Sequence, residues 1–454
     1  MNLRRWLTPG IGIKRWFLVV FAGLLLLALG TAHLIRQVSA DVEPGSWAEN
    51  LIDLITLQAL PYALRGLIVG LLGTALVALG AVRVLRVFTE PFRNPETGQP
   101  LVELIYQKRF LARGPRIVAM GGGTGLSTLL RGLKEHTGNL TAVVTVADDG
   151  GSSGALREQL GIPPVGDIRN CIVALADSEP LMSELLQYRF PTTAVAGEPP
   201  LAPGAPVHAE PGALGGHPVG NLILAALTAI EGGDFEEGVR EMNRVLAVRG
   251  RVVPVSPTPT VLHARLRNGQ SIDGQSRIAQ AGQIERVWLT PEDVAPTGDA
   301  LAAIADADVL VVGPGSLYTS LLPSLLVPGI QDAMLASPAL RIYVANVATQ
   351  SGETEGYDLA DHVEALAGHT LPGLFHIVLA NNQFDGLVPE GWHAEPVRLR
   401  WPPSAARTMQ LALDEVVDPQ NARHHDPVRL AAALMRVIER ERPAHRRVGV
   451  ARTA

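Results

Sequence analysis

Apolar residues fall into two regimes along this chain. In the first ninety residues they form unbroken runs, WFLVVFAGLLLLALGTAHLI (16–35) and GLIVGLLGTALVALGAV (66–82). Each is about as long as a helix needs to cross a hydrocarbon core. The pattern predicts a two-helix transmembrane hairpin, with a tail at 1–15, spans at 16–36 and 62–85 and an external loop at 37–61. Arg4, Arg5, Lys14 and Arg15 precede the first span, Arg83, Arg86 and Arg93 follow the second, and the loop carries Asp41, Glu43, Glu49 and Asp53. By the positive-inside rule both ends then lie in the cytoplasm. The expected localisation is the cell membrane, through residues 16–85, with the globular part in the cytoplasm. A cleaved signal peptide ending at Val38-Ser39-Ala40 is the alternative. It is disfavoured because the run is long for a signal and the second span would still return the chain inward.

After a charged linker, 86–114, the apolar runs shorten to strand length. RIVAM (116–120), TAVVTV (141–146), DVLVV (308–312), RIYVAN (341–346) and FHIVLAN (375–381) read as buried parallel strands. Leu126, Leu129, Leu130 and Leu133 recur at helical spacing between the first two. The fold class is therefore α/β: a Rossmann-like, doubly wound, mostly parallel sheet over 115–442, followed by a tail at 443–454. IRNCIVAL (168–175) reads as an amphipathic helix, and NLILAALTAI (221–230), apolar all round, as a buried one. DFEE (234–237) has capping-box spacing. VLHARLRNGQSIDGQ (261–275) predicts two strands about an Asn268-Gly269 turn, a small β insert. Residues 191–214, rich in Pro, Ala and Gly, read as a surface loop.

Composition narrows the chemistry. A net charge of −6 over 454 residues, without a concentrated basic face, argues against nucleic acid as a partner. The one cysteine, Cys171, excludes a disulfide framework and zinc sites built from several thiolates. The twelve histidines show no metal-ligand spacing, His217 and the pair His424-His425 being those to watch. No G-x-S-x-G elbow supports a serine hydrolase.

The stretches at the ends of the predicted strands are small, polar or glycine-rich: MGGGTGLS (120–127), ADDGGSSG (147–154), GPGSLYTS (313–320), NVATQSGETEGY (346–357) and NNQFDG (381–386). In an open doubly wound sheet, ligands bind at the carboxyl ends of the strands, so these five stretches form one candidate site. Gly121, Gly122, Gly123 and Gly125, with Thr124, allow close backbone approach to a phosphate or diphosphate at a helix start. The loop is neither G-x-G-x-x-G, since Leu126 takes the third glycine's place, nor a P-loop, since no lysine follows. Gly313 and Gly315 open a second turn, and Ser316 and Tyr318 offer hydroxyls. Of the adjacent carboxylates, one is placed to take ribose hydroxyls, and the other, Asp149, to hold a divalent cation such as Mg2+ against the phosphates. Either also fits a helix cap. Arg169 sits in the first turn of a helix that Asp167 is expected to cap, where an anionic ligand or Asp149 would offset its conflict with the helix dipole. Asn221, Asn346, Asn381 and Asn382 could read hydroxyls or a base, or serve as caps.

These motifs, with PPVGDIRNCIVALAD, GHPVGNLILAAL, VLAVRG (245–250) and ANVATQSGETEGY, resemble the YvcK group, the gluconeogenesis factors, within the 2-phospho-L-lactate transferase, or CofD-like, superfamily. The resemblance runs in order from about 115 to about 440. It implies a Rossmann-like core that binds a nucleotide sugar, notably UDP-N-acetylglucosamine, and supports cell shape and cell-wall precursor supply during gluconeogenic growth. Carried over, the glycine loop and Asp148 would embrace the nucleotide. The ligand set expected from residues and resemblance together also takes in Ser152, Asn170 and Asn221, and Trp392 stands where the group often has a stacking tyrosine. The transferase branch uses its aspartate region with a divalent metal to move a phospholactyl group onto a deazaflavin, which is the alternative activity. Three departures stand out. The hairpin is absent from the typical member, and the 191–214 loop is longer than usual. Where the group shows Arg-His-Asp, this chain has Arg423-His424-His425-Asp426, with Arg423 taken as the ligand cation. A homo-oligomer is left open.

Overall fold

A run such as Ile117-Val118-Ala119-Met120 offers no position that can face water, so it is stable only in a sheet covered on both faces. In the structure, a computed structural model, that is where it lies. Residues 110–176, 180–191, 214–384, 394–404 and 408–452 are described, together with Leu24, Ala28, Pro61, Leu64 and Leu71. The chain divides into two units, Met1–Arg109 and Phe110–Ala454. The second contains β1 (Ile117–Gly121), β2 (Leu140–Val144), β3 (Arg251–Pro254), β4 (Val261–Leu266), β5 (Ser271–Asp273), β6 (Ile284–Thr290), β7 (Val309–Val312), β8 (Leu340–Val344), β9 (Ile377–Asn381), β10 (Gln410–Asp414), β11 (Val417–Asp418) and β12 (Asn421–His425). Seven of these form one sheet in the order β10-β9-β8-β7-β1-β2-β3. Every pairing in it is parallel. All five predicted strands are present, and β1, β2, β7, β8 and β9 are buried along their whole length.

Among the helices, α1 (Gly123–Leu133) follows β1, α2 (Gly151–Leu160) and α3 (Gly166–Leu175) follow β2, and α4 (Val219–Ile230) lies further along the same crossover. Past β8 come α5 (Leu359–His369) and the closing α6 (Pro427–Arg452). The insert is a separate antiparallel sheet, β5-β4-β6, whose turn at Asn268-Gly269 has Gly269 at φ 85. Asp234 caps the helix Phe235–Val245, accepting the Glu237 N–H at 3.0 Å.

Two expectations are corrected. Helix α4 is not buried all round: Asn221, Leu224 and Thr228 face inward, whereas Ile230 is exposed. Continuous apolarity there reflects a helix half-covered by its neighbours, which periodicity alone does not distinguish from a buried one. The membrane localisation expected from the hairpin is also corrected. Among the described residues no helix is long and apolar enough to cross a membrane. The longest described helix, α6, carries Arg429, Arg436 and Arg440 on one side and packs Leu430, Ala431 and Leu434 on the other, the amphipathic pattern of a helix laid against a protein core. Apart from Leu24, Ala28, Leu64 and Leu71, the expected spans at 16–36 and 62–85 lie outside the described residues, as does most of the 191–214 loop.

Candidate functional site

From β1 the chain moves outward through β2 to β3, then returns to β7 on the other side of β1. The strand order reverses between β1 and β7, and such a reversal leaves a crevice outside the carboxyl ends. A cavity of about 680 Å³ opens there. Gly122, Gly123, Thr124, Gly125 and Thr128 form one wall, and Pro314, Gly315, Ser316 and Ser320 form a second. Asn346 to Ser351 form a third, and Arg423, His424 and His425 of β12 close the end. Three of the five glycine-rich or polar stretches therefore meet.

The walls touch because side chains are missing. A Cβ on Gly125 would lie 2.5 Å from the Pro314 carbonyl oxygen, and one on Gly122 would lie 2.4 Å from Asp167 Oδ2. Helix α1 starts at Gly123 without a side-chain cap. N–H groups in its first turn lack intrahelical acceptors and favour an anion. Asp167 takes one of them, the Gly123 N–H. This corrects the expected cap: the α3 N-cap is Val165, and Asp167 faces the glycine loop instead. The residue as a whole is half-buried, but its carboxyl is enclosed. Burial, with the Asp148 charge adding to it, pushes that carboxyl up to about 7.

The remaining predicted residues separate from the cavity. Asp148 Oδ1 accepts the Gly150 N–H at 3.0 Å, and its carboxyl also bonds Ser153; burial raises its pKa against those bonds. Asp149 turns the other way. Its Oδ1 accepts the Ser276 N–H at 2.8 Å and its Oδ2 lies against Gly274, so it ties β2 to the insert. The assignment of Asp149 as the metal ligand is corrected on that geometry. Arg169, 8% exposed, donates to Asn221 Oδ1 at 2.9 Å and Asn170 Oδ1 at 2.7 Å. Asn221 donates to Ser152 Oγ at 2.9 Å, which lies 2.8 Å from His217 Nδ1. Ser152, Arg169, Asn170 and Asn221 thus form one polar cluster beyond the end of β2. Arg169 Nε and Thr145 Oγ1 are buried at this edge without a partner among the described residues. Burial and the Arg189 charge lower the Arg169 pKa, while Asp167 and Asp148 act in the opposite direction.

Gly121 ends β1 and Gly313 lies at the base of its turn, so neither lines the cavity. Tyr318 is corrected outright. It is 2% exposed, and its hydroxyl lies 3.0 Å from Tyr357 Oη rather than in the cavity. Trp392 lies outside the described residues. Asn381 is spent on structure, accepting the Val416 N–H.

Gln350 and Glu353, which the sequence did not single out, complete the site together with His425, one of the histidines it marked. Gln350 lines the cavity and accepts from Ser316 Oγ at 2.6 Å. Behind it lies Glu353, 2% exposed, which accepts from Tyr318 N at 3.2 Å, Gln350 Nε2 at 3.3 Å and Thr319 Oγ1. Burial raises its carboxyl to about 7, moderated by the Thr319 hydroxyl and the Tyr318 and Thr319 N–H groups. His425 is buried and within 3.2 Å of the Ala345 carbonyl; burial lowers its pKa to about 4, so it is neutral at pH 7. The signal for Gln350 and Glu353 lay in spacing from a strand end, NVATQSGE, not in residue type.

For a divalent cation, the described residues hold no group of three or more His, Cys, Asp or Glu able to bind a metal ion. Mg2+ beside phosphates needs only one or two carboxylates. Asp148 and Asp167, which interact and both have raised proton affinity, fit that role; a cation would displace those protons and offset the repulsion.

The profile of the CofD family, described as 2-phospho-L-lactate transferase CofD, matches residues 117–395. The chain is 43% identical over 338 residues to the gluconeogenesis factor of Bacillus subtilis, covering 72% of this chain and all of that one. Its identity to the gluconeogenesis factor of Halalkalibacterium halodurans is 49% over 269 residues, 59% of this chain and 77% of the relative. A crystal structure of a Bacillus halodurans protein of the UPF0052 family superposes with a TM-score of 0.63 at 42% identity, covering 71% of this chain and 99% of that one.

Proposed function

The chain belongs to the CofD family, in its gluconeogenesis-factor group, and from that footing we propose that it is a regulator that binds a UDP-sugar, UDP-N-acetylglucosamine, and governs cell shape and cell-wall precursor supply. One observation carries this reading: the cavity at the strand reversal combines bare backbone with hydroxyl and amide side chains and cationic Arg423. Bare backbone at a helix start suits a diphosphate, and rows of neutral polar groups suit a sugar. Its volume, about 680 Å³, lies in the range of sites for small organic ligands, roughly 300–1,000 Å³.

A second reading is a metal-dependent transferase of the 2-phospho-L-lactate type, moving a phospholactyl group to a deazaflavin. Asp167 beside the glycine loop, with the Asp148 charge acting on it, favours it, with Mg2+ as the cation the pair would hold. Calorimetry on the full chain with UDP-N-acetylglucosamine, NAD and a deazaflavin, with and without magnesium, separates the two. Tight UDP-sugar binding that ignores magnesium and yields no product supports the regulator. No UDP-sugar binding, with magnesium-dependent uptake of the deazaflavin, rejects it in favour of the transferase. Asp148→Asn sharpens the contrast, because Asp148 does not line the cavity: the regulator keeps its UDP-sugar affinity, whereas the transferase loses product formation.

A further inference from the structure

Ser316 and Gln350 stand on opposite sides of the cavity corner, and the buried Glu353 behind them decides how both can hydrogen-bond. A carboxylate has no proton to give, so all three groups that reach Glu353, namely Tyr318 N–H, Thr319 Oγ1 and the Gln350 amide, are donors. The Gln350 side chain must therefore turn its NH2 group inward, Nε2 lying 3.3 Å from Glu353 Oε1. Its Oε1 then faces the Ser316 hydroxyl at 2.6 Å, and that hydroxyl must spend its single proton on Gln350. Nothing in this order changes if Glu353 holds a proton directed at Thr319 Oγ1, because Oε1 still accepts from Gln350. The adjacent Gly315 N–H is also engaged, by Asn346 Oδ1 at 3.3 Å.

Resting on the UDP-sugar reading above, we propose that Glu353 is a positioning residue that, through Gln350, presents Ser316 Oγ to the ligand as a hydrogen-bond acceptor. At that corner the site then recognises a hydroxyl or amide N–H of the nucleotide sugar rather than a phosphate oxygen. A serine beside a glycine-rich turn is ordinarily read as a donor to phosphate. Here its proton is already committed, and a phosphate oxygen would meet lone pairs. The phosphates are left to the opposite wall, where the first turn of α1 carries its N–H groups. The Glu353 carboxylate also takes a backbone N–H in the turn after Ser316, which removes that donor from any anion.

The test is a double-mutant cycle on the full chain, reading the affinity for UDP-N-acetylglucosamine and for UDP by calorimetry. Ser316→Ala removes the acceptor and is expected to weaken UDP-N-acetylglucosamine binding about tenfold, one hydrogen bond's worth. Glu353→Gln offers an NH2 group to Gln350, turns that amide round and makes Ser316 a donor, so it should weaken binding by a similar factor. The combined Ser316→Ala/Glu353→Gln variant should be no weaker than Ser316→Ala alone, because both changes remove one interaction. A purely structural Glu353 would instead add its full loss in the Ser316→Ala background, and that result overturns the proposal. So does unchanged affinity in either single variant. If Glu353→Gln fails to fold, Gln350→Leu takes its place in the same cycle with the same non-additivity expected. A loss seen with UDP as well puts the recognised donor on the uridine, and a loss confined to the full ligand puts it on the sugar. Failure of the unmutated chain to bind either probe rejects the UDP-sugar reading itself, and is distinguishable from a failure seen only in the variants.

Discussion

At the scale of single residues, the glycines and the buried carboxyls of the site make opposite demands. Gly125 is where α1 meets the Pro314 turn, and a methyl group there would lie 2.5 Å from a backbone oxygen that has no flexible side chain to move aside. Gly125→Ala is expected to cost about 1–3 kcal/mol as the walls are forced apart, measured by chemical denaturation, and to weaken ligand binding as well. Asp167 makes the pH dependence unusual for an aspartate. Its carboxyl rises from 3.8 to about 7 on folding, so between those values the folded chain binds more protons than the unfolded one. Its contribution to stability therefore falls as pH rises through that window. Glu353, raised from 4.5 to about 7, acts in the same direction, and His425, lowered from 6.5 to about 4, acts in the opposite one. Melting Asp167→Asn beside the unmutated chain at pH 5 and pH 8 should show a smaller decline with pH in the variant. An equal decline would mean that the Asp167 carboxyl titrates normally.

At the scale of elements, adjacent residues acquire unrelated tasks where the chain leaves a strand for the turn beyond it. Asp148 bonds the Gly150 N–H and Ser153, whereas Asp149 reaches the Gln275–Ile278 turn and holds the insert. Asp149→Ala should thus behave as the loss of a cap, costing about 1 kcal/mol in thermal or denaturant unfolding, with no change in any magnesium dependence. A lost magnesium response would return Asp149 to the ligand set. Of the seven-stranded sheet, the strands legible in the sequence, β1, β2, β7, β8 and β9, are those whose four or five residues are all buried. RVVP at β3 and QLALD at β10 were not legible. They are edge strands of the sheet, and water reaches part of them, so their runs are short or mixed.

At the scale of the whole molecule, the crevice exists because seven parallel strands end at one level and their order reverses beside β1. A ligand held there contacts turns from both halves of the sheet and should stabilise the unit Phe110–Ala454 as a body. UDP-N-acetylglucosamine at a hundred times its Kd should raise the unfolding free energy by about 2.7 kcal/mol, seen as an upward shift in Tm. No shift at saturating ligand would count against a site built from both halves.

The sequence by itself determined the parallel α/β core, the glycine loop and the polar composition of the strand ends, since each is set by local steric and solvation rules acting within a few residues. Only the tertiary structure decided that the Gly122–Gly125, Pro314–Ser316, Asn346–Ser351 and Arg423–His425 segments share one cavity while Ser152, Arg169 and Asn221 form another cluster. It also decided that Asp167, Gln350 and Glu353 belong with the site, and Tyr318 and Asn381 with the framework. The physical reason is the same in each case. Side-chain type sets what a group can donate or accept, but which partner it meets depends on strand order and on contacts between residues far apart in the chain.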